Sequence, residues 1–408
     1  MTTQEGHAVT PATTEPVAST TAATLRVGVL RETAPGERRV ALDPAAIRKL
    51  VSQGRSIQVE AGAGTGAAIS DSDYLAAGAA IGTRSTVLAG CDVLAVVRSP
   101  EDGIVATLGE SQTLLGLLDP FTRPDMIREL TERNVTTVAF ELVPRTLSRA
   151  QSMDALSSQS SAAGYRAAIV AAHAFGRYLP MMITASGTAT PAKVIVIGTG
   201  IAGLQAIATS KRLGAVVTGY DVREASRQEV ESLGAKFLSS SVATGTGAGG
   251  YARVMTDDER TAQQDELAAA LSDFDVIITT AKVPGRTPPE LVSAATLATL
   301  RPGSVCIDLG SGPLGGNVAG SVEGITNVTA GGVTIVGAGE LAAELPGSAS
   351  QMYARNVVAV LESLAPDGVI VVDQTDAVHQ GIVVGHAGQV TNAAMRRVLG
   401  LELEEKAA

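Results

Sequence analysis

The segment Val194-Ile-Val-Ile-Gly198-Thr-Gly200-Ile-Ala-Gly203 constrains this chain more than any other stretch. An apolar run enters it and the Ala-rich Leu204–Leu213 leaves it, so it reads as a strand, a glycine turn and a helix. In a chain with 44 glycines the spacing alone carries little; the flanking strand and helix supply the context. Gly198 permits the tight turn, Gly200 lets the backbone approach a pyrophosphate, and Gly203 lets the helix pack on the strand. Ile201 is a further binding candidate in this turn, and the helix N-terminus that follows offers free N–H groups to phosphate oxygens. The next apolar run ends in Asp221-Val222-Arg223. Asp221 stands about 20 residues past the glycines, where a carboxylate accepts from adenosine ribose hydroxyls and repels a 2′-phosphate. NAD(H) is therefore expected over NADP(H), although Arg223 is a neighbour able to pair with such a phosphate.

The same alternation of strand-length apolar runs and Ala-rich stretches fills the chain from residue 25 onward, the pattern of βαβ units. The first series is Leu25–Leu30, Ile57–Glu60, Asp92–Val97, Thr113–Leu118 and Val135–Glu141. Helical composition marks Pro44–Gln53, Ser72–Ala79 and the long Arg149–Tyr178. The second series is Lys193–Ile197, Val216–Asp221, Asp275–Thr280, Ser304–Leu309 and Val333–Val336, apolar on both faces as covered parallel strands must be. A helical stretch, Ala349–Leu364, and a strand-turn pattern over Val369–Val390 follow. These are too small for a third domain. The expected fold is α/β, with two doubly wound, Rossmann-like parallel-sheet domains separated by a cleft. Residues 25–153 with 337–408 form one domain and 154–336 the nucleotide-binding one. Residues 1–24 read as a disordered leader, and the small, polar, flexible Ser239–Gly250 as a lid, a binding loop or disorder.

Charge and composition remove several classes. A formal net charge of −10 argues against nucleic acid and against docking on anionic lipid. Cys91 and Cys306 sit in apolar runs and read as buried free thiols of a reducing compartment. The apolar runs break well before the ~18 residues of a spanning helix. The four histidines show no ligand spacing, so no metal is expected. Neither a Gly-x-Ser-x-Gly elbow nor a GxxxxGK[ST] loop is present.

One polar cluster stands out, Arg145-Thr-Leu-Ser-Arg149-Ala-Gln151-Ser-Met-Asp154-Ala-Leu-Ser157. It is either a hydrated linker in which Asp154 or Ser157 caps the following helix, or a binding loop.

Several stretches resemble the NAD(H)-binding component of proton-translocating transhydrogenases. They are Gly200–Ala215, Ser148–Ser160, Arg31-Glu32 with Pro35–Ala41, Ala163–Ala167 and Gly249-Gly250-Tyr251-Ala-Arg253. The resemblance runs from about residue 25 to the C-terminus. It implies that Gln151 and Ser157, with Asp154, hold the nicotinamide and its ribose, and that Arg145 or Arg149 supplies the arginine of that loop. Gln151 stands six positions after Arg145, one more than in the family's loop. Tyr251, beside Gly250, would ride the mobile loop over bound nucleotide. The loop Asp308–Asn317 lacks the family's acidic residue before Gly-Gly-Asn. The resemblance further implies direct hydride transfer to NADP(H) on a partner component and coupling to proton translocation by a membrane-embedded channel subunit. It also implies a homodimer in the cytoplasm, held peripherally at the membrane by its partners.

Alanine dehydrogenase is the rival, since it shares the two-domain plan. Its catalytic lysine and histidine correspond here to Arg98 and Asp119. Arginine does not shuttle a proton near neutral pH, and Asp119 is a poor substitute for imidazole.

Overall fold

The computed structural model describes residues 24–241, 255–282 and 285–401. Gly250, Tyr251, residues 1–23 and most of the Ser239–Gly250 stretch lie outside them.

The first series of apolar runs forms β1 (Arg26–Val29), β2 (Ser56–Glu60), β3 (Ala80–Gly82), β4 (Val93–Arg98), β5 (Thr113–Leu117) and β6 (Thr136–Ala139). A small hairpin follows, β7 (Met182–Thr184) and β8 (Gly187–Ala189). The second series gives β9 (Lys193–Ile197), β10 (Val216–Tyr220), β11 (Lys236–Leu238), β12 (Val276–Thr279), β13 (Val305–Asp308), β14 (Thr326–Val328) and β15 (Thr334–Gly337). The chain closes with β16 (Val383–His386) and β17 (Gln389–Val390).

Among the described residues these strands make an eight-stranded sheet, ordered β17-β16-β6-β5-β4-β1-β2-β3, and a seven-stranded sheet, ordered β11-β10-β9-β12-β13-β15-β14. β1 to β6 pair in parallel, as do β9 to β13 with β15, while β14, β16 and β17 are antiparallel additions at the edges. Both are doubly wound α/β sheets. The β12 and β13 sequences, VIIT and VCID, are buried at every position because helices cover both faces.

Two helices carry the chain between the sheets. Ala155–Ala174 leaves the first and packs Ala167 and Ala171 into the second core, with Val194, Val276 and Val305. Pro346–Leu364 returns and packs Tyr353, Val357 and Leu361 against Val27, Val59 and Val97. Gly164 lets the outgoing helix lie flat on helix Ile201–Arg212, since a Cβ there would stand 2.1 Å from the Ala202 carbonyl oxygen.

Three local readings change. Helix begins at Ala155 and not at Arg149, because Ser148–Met153 forms a 3-10 segment and Asp154 caps the helix by accepting from Ser157 N. The Val369–Val390 stretch contains helix Ala377–Ile382 ahead of the β16–β17 hairpin, started by the Asp376 carboxylate on the Val378 and His379 amides. The hairpin β7–β8 is an exposed excursion turned at Gly187, whose φ is +129°. Both cysteines are buried, and desolvation pushes their thiols up, Cys91 to about 11 and Cys306 to about 12.

Candidate functional site

The C-terminal ends of both parallel sheets face one another, the position where open α/β sheets bind ligands. Gly285, after β12, lies against Phe121, after β5: a Cβ on the glycine would come within 2.4 Å of the Phe121 Cβ.

At the second sheet, β9 ends in the glycine turn. Gly198 has φ +90°, which only glycine adopts without strain, and its carbonyl accepts from Thr280 Oγ1 at 2.8 Å. A Cβ on Gly203 would fall 1.9 Å from that carbonyl oxygen. Gly200, by contrast, has no heavy atom within 4 Å of a built Cβ, so its face is open. Helix Ile201–Arg212 starts there without a side-chain cap, leaving its first amides free and Ile201 exposed. The turn therefore suits the pyrophosphate of a dinucleotide.

Asp221 lies just past β10, buried beside Val222. Its Oδ2 accepts from Thr199 N at 2.8 Å, Thr199 Oγ1 at 3.1 Å and Arg223 Nη2 at 2.8 Å. Its Oδ1 accepts from Arg223 N and Nε, both at 2.9 Å. Burial works against its charged form, but the Arg223 and Thr199 bonds outweigh it and hold the carboxyl below its usual range. Both Asp221 carboxylate oxygens thus accept from the chain's own donors.

The second group sits where the chain leaves the first sheet. Arg145 Nε donates to Asp154 Oδ2 at 2.9 Å and Arg145 Nη2 to Ser157 Oγ at 2.9 Å. Ser157 N donates to Asp154 Oδ1 at 2.9 Å, and its hydroxyl donates to Oδ2. The capping reading is realised by the same Asp154 carboxylate that pairs with Arg145. Arg149 points elsewhere, with a two-pronged pair to Asp376 at 2.6 and 2.7 Å. Arg145, and not Arg149, therefore joins Asp154 and Ser157. Gln151 is exposed, and its side chain makes no hydrogen bond among the described residues. A single helix links this group to the glycine turn: Asp154 and Gly164 are about 15 Å apart along its axis.

A third group lies between the sheets, of which sequence reading had singled out only part. Arg39, fully buried, donates to Glu37, to Gln159 Oε1 at 2.9 Å and to Glu340 Oε2 at 3.2 Å. Arg98, Asp119 and Lys282 share this space. Desolvation and Glu340 raise the Asp119 carboxyl against the pull of Arg98 and Lys282. Desolvation also opposes charge on Glu340, yet Arg39, Lys282 and Arg98 leave it below its usual range. Behind the β13 end, Asp308 accepts from Thr279 Oγ1, Gly310 N, Asn317 N and Val318 N at 2.8 to 3.1 Å. A Cβ on Gly316 would stand 2.3 Å from Asp308 Oδ2, so that loop wraps a buried carboxylate. An acidic residue closing an apolar strand was the available signal for Asp308; Glu37 and Glu340, distant in sequence, offered none. Among the described residues no group of His, Cys, Asp and Glu could hold a metal, and no helix is long and apolar enough to cross a membrane.

The family model described as alanine dehydrogenase/PNT, N-terminal domain, matches residues 28–163, and its C-terminal counterpart matches 167–393. The chain belongs to the alanine dehydrogenase/PNT family. Within that family it is 44% identical over 343 residues to a Rhodospirillum rubrum protein named as the first part of NAD(P) transhydrogenase subunit alpha, covering 82% of this chain and 88% of the relative. The crystal structure of transhydrogenase from Sinorhizobium meliloti superposes with a TM-score of 0.80 at 39% identity, over 90% of this chain and 99% of that one. Alanine dehydrogenase of Mycobacterium tuberculosis is 32% identical over 295 residues, 70% of this chain and 72% of the relative.

Proposed function

We propose that this protein is the NAD(H)-binding component of a proton-translocating transhydrogenase, passing hydride between NADH and NADP+ held on a partner component. The observation that carries the reading is the Arg145–Asp154–Ser157 group beside an unengaged Gln151 amide. It is a positioning surface, complementary to a carboxamide and a ribose. When bound, the dihydronicotinamide itself supplies the hydride. The chain's residues bind, orient and exclude water, and those are the demands of direct ring-to-ring transfer. Gly198, Gly200, Ile201 and Gly203 hold the pyrophosphate, and Asp221, Val222 and Arg223 hold the adenosine. Gln151 and Ser157 hold the nicotinamide and its ribose, and Asp154 with Arg145 fixes Ser157. Gly250 and Tyr251 belong to the covering loop. Residues 25–153 with 337–408, and 154–336, are proposed as the two domains. Membrane-embedded subunits would carry the proton and hold this component, as a homodimer, at the cytoplasmic face.

The test is hydride transfer from NADH to a chromophoric NADP+ analogue, with and without the purified NADP-binding partner component. Transfer that depends on the partner and falls at least tenfold in Gln151→Ala is expected. NADH formation from alanine, or its oxidation by pyruvate and ammonia, without any partner, would overturn the reading in favour of an amino-acid dehydrogenase.

A further inference from the structure

The loop that carries Gln151 is held from outside itself. Helix Pro346–Leu364, returning from the second sheet, presents Asn356, which is buried. Asn356 Nδ2 donates to the Ser152 carbonyl at 2.8 Å, and Asn356 Oδ1 accepts from Ser158 Oγ at 2.7 Å. One side-chain amide thus ties the residue after Gln151 to the first turn of helix Ala155–Ala174. Ser158 in turn accepts from Gln159 Nε2 at 3.1 Å. Gln159 also donates to the Ala349 carbonyl, again at 3.1 Å, and accepts from Arg39. On the other flank Arg149 is pinned by Asp376. Between these two anchors the Gln151 side chain has no hydrogen bond of its own among the described residues.

We propose that Asn356 is a positioning residue for the hydride-transfer site, fixing the Ser148–Met153 segment so that Gln151 faces the nicotinamide. This rests on the reading of Gln151 given above. The physical basis is the residue's two-sided chemistry. A 3-10 segment leaves carbonyls unpaired at its end, and a buried amide can satisfy one only while its own oxygen finds a donor. Asn356 does both across a junction of two elements, and it touches neither nucleotide-binding glycine nor Asp221. Its loss should slow transfer, which depends on sub-ångström placement, far more than nucleotide binding, which is spread over many contacts.

The experiment measures single-turnover hydride transfer from NADH to the chromophoric NADP+ analogue on the full chain with its partner component, and NADH affinity separately. Asn356→Ala is expected to slow transfer about tenfold with the NADH Kd within about twofold. Asn356→Asp has the same size and keeps the acceptor for Ser158, but places an anion against the Ser152 carbonyl. It should behave likewise, so the test survives if the alanine variant folds poorly. The double variant Gln151→Ala/Asn356→Ala should be no slower than the slower single one, since both act through one amide. Additive losses, equal losses in rate and affinity, or an unchanged rate would each overturn the proposal. If Gln151→Ala alone leaves the rate intact, the reading of the site fails, and the anchor proposal falls with it. If Gln151→Ala is slow while Asn356 is silent, only the anchor is wrong.

Discussion

Gly200 and Gly203 lie three positions apart in one motif, yet the structure gives them different tasks. Gly203 is a packing glycine. Alanine there would gain about 1 kcal/mol of intrinsic helix preference, but its Cβ would sit 1.9 Å from the Gly198 carbonyl oxygen, a backbone atom that cannot yield cheaply. Overpacking of this kind costs roughly 1–3 kcal/mol. Gly200 is an access glycine, with open space around its Cβ position. The expected outcomes therefore separate. Gly203→Ala lowers both the unfolding temperature of the nucleotide-free protein and its NADH affinity. Gly200→Ala leaves the unfolding temperature within about a degree, because nothing is displaced, and weakens NADH at least tenfold. Calorimetry and an NADH fluorescence titration check both. Loss of unfolding temperature in Gly200→Ala would show that the turn is tighter than its geometry implies.

Strand elements were the most legible part of the sequence, because apolar runs covered on both faces have little freedom to be anything else. The edges were least legible. β3, β11 and β14 have three residues each and are partly exposed, so no periodicity marks them. The Arg145–Ser157 loop was legible as a cluster, but which arginine belongs to it depends on Asp376, more than 220 positions on. The strand ends hold a consequence that composition cannot express. Glu32 follows β1 and Glu141 follows β6, and desolvation lifts both carboxyls to about 7 from an ordinary 4.5. Glu141 Oε1 accepts from Asp119 N at 2.7 Å, but its Oε2 has no hydrogen-bond partner among the described residues. A raised carboxyl means the folded state binds more protons than the unfolded one between about pH 4.5 and 7. These two groups therefore favour folding below that window and oppose it as pH rises through it. Glu141→Gln removes one such group, and its unpaired amide adds a cost independent of pH. The variant's stability relative to the parent should rise by on the order of 1–3 kcal/mol from pH 5 to pH 8 in urea titrations. A flat or falling difference would show that Glu141 stays ionised in the folded protein.

At the scale of the whole molecule, the two sheets are joined by two crossing helices and by Arg39. Its guanidinium comes from the first domain's early loop. It reaches Glu37 in that loop, Gln159 on the outgoing helix and Glu340 just before the returning one. The Arg39 and Glu37 side chains are wholly inaccessible, so neither charge has water to fall back on. Such a pair adds little stability over apolar packing, but breaking it is costly, roughly 3–5 kcal/mol, because one charge remains stranded. Arg39→Met keeps most of the volume and leaves the Glu37 carboxylate alone in the interior. Two outcomes follow from one cause. The urea midpoint falls. The unfolding curve, expected to be one cooperative transition in the parent, separates into two as the link between the cores weakens, and circular dichroism and the tyrosine signal cease to coincide. Arg39→Lys preserves the charge but not the fork that serves three acceptors at once, so it should fall between Met and the parent. A single transition in Arg39→Met would mean that the crossing helices alone couple the domains and that Arg39 merely fills space.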